Sequence, residues 1–141
     1  MKFSFLFILL CISLFSFAQQ NKSKPLLTEQ YTGVYSFGKN VEKEPGGMVT
    51  VFAETDSTVL FYIDVCRGAP SYNLGQHYDR LKIKNGKGIF TLEKDFGENG
   101  CKWEVTIVGK TLTISTIDAC FDCGFGANVV ADNKYFRKGQ N

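Results

Sequence analysis

Apolar and polar residues alternate with a period of two along almost every segment after residue 28. Residues 101–108 show this most clearly, because their odd positions are Cys, Trp, Val and Ile and most of their even positions are polar. Successive side chains of a β-strand point to opposite faces, so the pattern predicts strands that bury one face. No stretch combines helical periodicity with helix caps. The chain is therefore predicted to be all-β.

The strand patterns are short and are separated by turn signals. They cover residues 30–37, 48–53, 58–66, 80–84, 89–93, 101–108, 111–117, 128–130 and 134–137. Asn85-Gly86 is the preferred dipeptide of a two-residue type I′ hairpin. Gly109-Lys110 marks a second tight turn. We expect an antiparallel meander of about eight strands, folded as a small barrel-like sheet or a sandwich and stapled by disulfides, with the barrel favoured because closure removes exposed edges.

The first 18 residues have the pattern of a secretory signal peptide. Lys2 supplies a positive charge, residues 3–17 are mostly apolar, and Ala18 ends a small-residue site for a signal peptidase. The apolar run is too short for a transmembrane span, which needs about 20 apolar residues. We therefore predict cleavage after Ala18 and no transmembrane span.

Cys11 raises the alternative of a lipoprotein, in which a lipidated cysteine becomes the new N-terminus. Leu10 precedes it where a lipoprotein signal has a small residue, so anchoring through Cys11 is not expected. The chain then divides into a signal peptide at residues 1–18, a polar leader at 19–28 and a single β domain at 29–141. We predict export to the periplasm or to the outside of the cell.

The charge balance excludes one class of partner. The chain has 16 Lys and Arg against 14 Asp and Glu, a net charge of +2. Nucleic-acid-binding proteins usually carry a clear basic surplus, so we expect no nucleic-acid partner.

No close cluster of His, Asp and Glu has metal-ligand spacing, and residues 124–126 lack the further glycine, the lysine and the helix of a phosphate-binding loop. We predict no metal and no cofactor.

Four cysteines remain once the signal peptide is removed. They are Cys66, Cys101, Cys120 and Cys123. An even number in an exported chain predicts disulfides, but four cysteines allow three pairings and the sequence does not choose among them. Residues 120–123 also have the Cys-x-x-Cys spacing of redox enzymes, although the glycines that follow make a poor start for the helix that such motifs open. A Cys₄ zinc site would require two close pairs, and the chain has one.

Two loops are candidate binding sites for a protein partner. Residues 67–76 form a longer connection than an ordinary hairpin, and residues 120–127 form a glycine-rich bend beside two cysteines. The candidate contact residues are Ser71, Tyr72, Asn73, His77, Phe121 and Phe125. Aromatic side chains exposed on a rigid loop are good anchors for a protein partner. The alternative is that the two phenylalanine rings plug one end of the barrel.

Several stretches carry a resemblance to known proteins: residues 68–75 (GAPSYNLG), 101–103 (CKW), 123–129 (CGFGANV) and 132–135 (DNKY). They resemble a loose set of small exported bacterial β proteins, mostly uncharacterised. The resemblance implies that Cys101 pairs with Cys123, because the matching cysteines recur together in that set, and that Cys66 and Cys120 form an extra bridge. The disulfide-tied β build is also similar to periplasmic lysozyme inhibitors, which block a muramidase by inserting a loop into its cleft.

These observations lead to three functional hypotheses. The first is a non-enzymatic exported binding module with a protein partner in the cell envelope or outside the cell, specifically an inhibitor of a cell-wall hydrolase. The second is a small barrel that carries an apolar ligand. Its expected lining residues are Phe52, Phe61, Phe90 and Trp103. The third is a hydrolase that uses His77, the only histidine, with Ser71 and Asp79 nearby.

Overall fold

The computed structural model describes residues 24–40, 42–92, 101–117 and 123–139. Within these ranges a short 3₁₀ helix precedes eight antiparallel strands, which confirms the all-β prediction. The helix covers Glu29–Tyr31, and the strands are β1 (Gly33–Phe37), β2 (Gly46–Ala53), β3 (Thr58–Cys66), β4 (Leu74–Lys82), β5 (Lys87–Thr91), β6 (Lys102–Val108), β7 (Thr111–Thr116) and β8 (Asn133–Arg137). Among the described residues, no helix has the length and apolar character needed to cross a membrane.

The strands form one sheet that curls into a nearly closed barrel. Their order is β4-β3-β2-β1-β8-β7-β6-β5, so every neighbour in the sheet is also a neighbour in sequence except for the β1–β8 pair. That pair joins the first and last strands through Tyr35 opposite Arg137 and Ser36 opposite Phe136. The two edge strands, β4 and β5, are consecutive in the chain. The predicted meander is confirmed, and it takes the barrel form.

The turn between β4 and β5 is the type I′ turn that the sequence predicts. Asn85 and Gly86 have φ values of 52° and 77°, and Lys84 and Lys87 exchange both backbone hydrogen bonds, at 2.8 and 3.0 Å. The ladder between the two strands consists of this single bridge among the described residues. The hairpin therefore opens away from its turn, and this opening is the seam of the barrel.

The barrel interior is filled by apolar side chains. Trp103, Tyr35, Tyr135 and Phe61 are the largest fully buried residues. The ring centroids of Phe61 and Phe90 lie 5.1 Å apart, and those of Phe90 and Trp103 lie 5.5 Å apart.

The expectation that Phe52 lines the interior is wrong. Val51 and Ala53 occupy the inward positions of β2, so the side chain between them points outward and is 61% exposed. The other three residues expected to line a ligand cavity are Phe61, Phe90 and Trp103, and they are buried against one another.

Strand β4 begins at Leu74 and not near residue 80, so the connection from β3 covers residues 67–73 and is shorter than the expected 67–76 loop. The inward positions of β4 are Gly75, His77, Asp79 and Leu81, opposite buried residues of β3. Only one of these four has an apolar side chain, and the period-two signal is therefore lost. Residues 128–130 are also not a strand, because the Val129 N to Gly126 O hydrogen bond of 3.0 Å closes a turn over residues 126–129 and no ladder includes residues 128–130.

A disulfide joins Cys101 to Cys123, with their Cα atoms 5.3 Å apart. This confirms the pairing that the resemblance implies. Cys101 is fully buried and directly precedes β6. Cys66 carries a free, half-buried thiol. Its expected partner Cys120 lies outside the described residues, so the second bridge stays a prediction.

Tyr135 makes stability depend on pH in the alkaline range. Its hydroxyl donates to the carbonyl of Ala131 at 2.7 Å. Burial, and then the nearby Asp132 carboxylate, raise the pKa of Tyr135 above its ordinary value of 10.0. The folded state therefore favours the neutral phenol. Its stabilising effect is complete below the unfolded pKa and is lost as the pH rises from 10.0 towards the folded pKa.

We expect the free energy of unfolding to fall as the pH is raised above 10.0, measured by urea denaturation at a series of pH values. Tyr135→Phe removes the ionisable group and should reduce the slope. Tyr78→Phe is the control, because Tyr78 is 82% exposed. A slope that Tyr135→Phe leaves unchanged would count against this explanation.

Candidate functional site

The two loops nominated from the sequence meet at one end of the barrel. The first connects β3 to β4 and the second precedes β8. The side-chain amide of Asn73 donates to the carbonyl of Ala127 at 2.8 Å, and the amide of Gly126 donates to the carbonyl of Leu74 at 2.9 Å. These bonds join the loops into one surface, which we call the stapled end (residues 67–74 and 123–127).

His77 holds the stapled end from the barrel side. It lies at an inward position of β4, is half-buried, and places Nε2 2.7 Å from the carbonyl oxygen of Cys123. A carbonyl oxygen can only accept, so Nε2 carries the proton and donates it. The ring also stacks on Phe125, with centroids 5.2 Å apart. These two contacts join His77 of β4 to the second loop, and the hydrolase hypothesis stays a prediction.

Asp79 and Ser71 are the other two residues of the hydrolase hypothesis. Asp79 accepts a hydrogen bond from the backbone amide of Arg80 at 2.6 Å, and Ser71 is exposed on the first loop. Within the described ranges, no group of three or more His, Cys, Asp and Glu side chains is placed to hold a metal ion.

Phe125 plugs the stapled end of the barrel. Its ring is half-buried against the core, with its centroid 5.5 Å from that of Trp103. It rests over Gly75, where a Cβ atom would overlap the ring. Phe121, the other aromatic anchor proposed for this loop, lies outside the described residues. For Phe125, the structure favours the plug over the exposed anchor.

The contact between Gly75 and Phe125 gives a specific prediction. Gly75→Ala should lower the free energy of unfolding by about 1–3 kcal/mol, because the new methyl group displaces a packed ring. Urea denaturation measures this. Gly139→Ala is the matched control, since a Cβ at Gly139 meets nothing within 4 Å.

A double-mutant cycle attributes the loss to the ring. In a Phe125→Ala background, Gly75→Ala should be close to neutral because the overlapping ring is gone. An equal loss in both backgrounds would show that the ring does not cause the effect.

The stapled end presents two large side chains to solvent. Tyr72 is 50% exposed and Leu74 is 55% exposed. Tyr72 has a φ of 51°, a left-handed conformation that a non-glycine residue rarely adopts. Its amide donates to the carbonyl of Gly68 at 2.9 Å, which closes a turn within the loop. The loop thus holds Tyr72 in a defined direction.

Sequence reasoning did not nominate Leu74 as a contact residue. A signal was available, because inward positions of a strand alternate with outward ones, and counting back from the buried Leu81 places Leu74 on the outer face. It was missed because β4 was expected to begin later.

Comparisons with known protein families, with curated proteins and with solved structures find no match to this chain.

Proposed function

We propose that this chain is an exported, non-enzymatic binding module that recognises a protein partner with its stapled end. The observation that carries the proposal is the joining of the two loops by the Asn73–Ala127 and Gly126–Leu74 hydrogen bonds, with Tyr72 and Leu74 exposed on the result. The partner lies in the cell envelope or outside the cell.

The order of the stapled end favours binding. Immobilising flexible loops and side chains on association costs free energy, and a surface that is already ordered avoids part of that cost. Tyrosine is also enriched among the residues that contribute most to protein interfaces. Tyr72 is both exposed and held by its turn, so it is the residue expected to contribute most.

A cell-wall hydrolase, specifically a muramidase, is the partner class that we propose. The support is the similarity in build to periplasmic lysozyme inhibitors together with a short ordered loop bearing an exposed tyrosine. An enzyme cleft is concave, and concave sites bury a large share of whatever enters them. Inhibition follows if the loop occupies the cleft and excludes the glycan.

Tyr72→Ala should weaken partner binding by about 2 kcal/mol, roughly thirtyfold in Kd. The measurement is capture of envelope and secreted proteins by the immobilised chain, together with a muramidase inhibition assay. Tyr78→Ala is the matched control, because it removes a tyrosine that is 82% exposed on the outer face of β4. Absence of capture and of inhibition at micromolar protein, or equal losses for the two variants, would contradict the proposal.

A further inference from the structure

A basic cleft lies at the end of the barrel opposite the stapled end, where β1 begins and β8 ends. Its volume is about 540 Å³. Its lining residues are Gly33, Val34, Lys110, Arg137, Lys138 and Gly139. Three of these are basic and none is acidic, although the whole chain is nearly neutral.

Arg137 is held in a fixed position on the wall of this cleft. Its Nη2 donates to the carbonyl of Thr32, and its Cζ lies 5.7 Å from the centroid of the Tyr35 ring. Gly33 makes room for it, because a Cβ atom at Gly33 would lie 2.6 Å from the Arg137 Nε. A guanidinium group has five N–H donors, so the bond to Thr32 leaves others for a ligand.

The backbone brings the two lysines beside Arg137. The amide of Arg137 donates to the carbonyl of Lys110 at 2.8 Å, and the amide of Lys138 donates to the carbonyl of Val34 at 2.8 Å. Among the residues that the structure describes, the ion pair is between Arg80 and Glu54, away from the cleft. Within the described ranges none of these three cations forms an ion pair, and neighbouring cations raise the local positive potential and attract anions.

We propose that this cleft binds a phosphate-bearing ligand. A planar guanidinium can donate two parallel hydrogen bonds to phosphate oxygens, and lysine ammonium groups add charge. The volume falls within the range of about 300–1,000 Å³ typical of small-molecule sites, which is more than one phosphate group fills. The ligand is therefore a phosphate ester, either a soluble one or a lipid headgroup. This site is separate from the stapled end and does not depend on the proposed function.

Two probes test the site in the full exported chain. One is inorganic phosphate, followed through the backbone amide NMR signals of Gly33, Val34 and Gly139. The other is a set of phosphatidylcholine vesicles with and without phosphatidylglycerol, followed by co-sedimentation. Phosphate binding points to a soluble ester, and binding confined to the vesicles that contain phosphatidylglycerol points to a headgroup. Either result supports the proposal. Absence of binding to both probes would overturn it.

Variants distinguish this site from general charge attraction. Arg137→Gln should weaken binding by about tenfold or more, and Gly33→Ala should also weaken it by displacing the guanidinium. Val130→Ala should bind normally, because Val130 is exposed and does not line the cleft.

Paired lysine variants keep the test valid if Arg137→Gln does not fold. Lys110→Gln/Lys138→Gln alters exposed residues of the cleft and should lose binding. Lys82→Gln/Lys84→Gln removes the same charge from exposed residues that do not line the cleft and should retain it. Equal losses for the two pairs would overturn the proposal.

Discussion

Replacing Trp103 with alanine should lower the free energy of unfolding by about 3–5 kcal/mol, the range found for truncating large aromatic residues in protein cores. Trp103 is 1% exposed. Its ring centroid lies 5.5 Å from those of Phe90 and Phe125 and 6.1 Å from that of His77. The substitution thus removes the side chain that the core and the plug of the stapled end share.

Urea denaturation measures the effect of Trp103→Ala. The control is Val108→Ala, on the same strand. Val108→Ala alters a residue of β6 that points outward and is 72% exposed, so it should change stability by less than about 0.5 kcal/mol. Domains of this kind have a total stability of about 5–15 kcal/mol, so Trp103→Leu is a milder second variant if the alanine variant is unfolded. A loss below about 1 kcal/mol for Trp103→Ala would contradict the burial of its ring.

Removing the Cys101–Cys123 bridge with the double alanine variant should cost about 3 kcal/mol, on the chain-entropy model for a loop of this size. The two cysteines are 22 residues apart in sequence. The second loop should also become more mobile, because the disulfide is a covalent link between Cys123 and the barrel. Partner binding should therefore fall further than the loss of global stability alone explains.

Cys66→Ala is the matched control for the disulfide. If its thiol is free, as in the structure, the variant should stay within about 1 kcal/mol of the parent. A loss of about 4 kcal/mol would instead reveal the extra bridge to Cys120, which would close a longer loop. Alkylation of Cys101 or Cys123 in the unreduced, natively isolated protein would contradict the bridge that the structure shows.

The strands that sequence patterns predict best are those whose inner face is uniformly apolar. β3 was expected at the residues where it occurs, and β6 and β7 differ from expectation by one residue each. The pattern predicts a start for β4 that is too late in the chain, because Gly75 and His77 occupy inward positions without an apolar signal. The Asn85-Gly86 turn was predictable because its geometry requires positive φ at both residues, which this dipeptide tolerates.

The candidate site was only partly predictable. Loop length and exposed residue types nominated Ser71, Tyr72 and Asn73, but the Asn73–Ala127 hydrogen bond spans 54 residues and leaves no local pattern. The role of Phe125 could not be decided in advance, because a ring on a glycine-rich bend is compatible with either a plug or an anchor. The Phe125 ring packs so closely on Gly75 that a Cβ atom would not fit between them. This contact favours the plug, and it exists only in the folded chain.

Hydrogen exchange at the amide of Gly126 tests the central claim, that the two loops form one ordered surface. This amide donates to the carbonyl of Leu74 across the junction, and the amide of Ile83, which donates to the carbonyl of Ser57 at the other end of the barrel, is the internal reference. The account predicts slow exchange at both amides in the oxidised protein, and a large acceleration at Gly126 relative to Ile83 in the Cys101→Ala/Cys123→Ala variant. Exchange of Gly126 at the rate of an unprotected amide in the oxidised protein would contradict it.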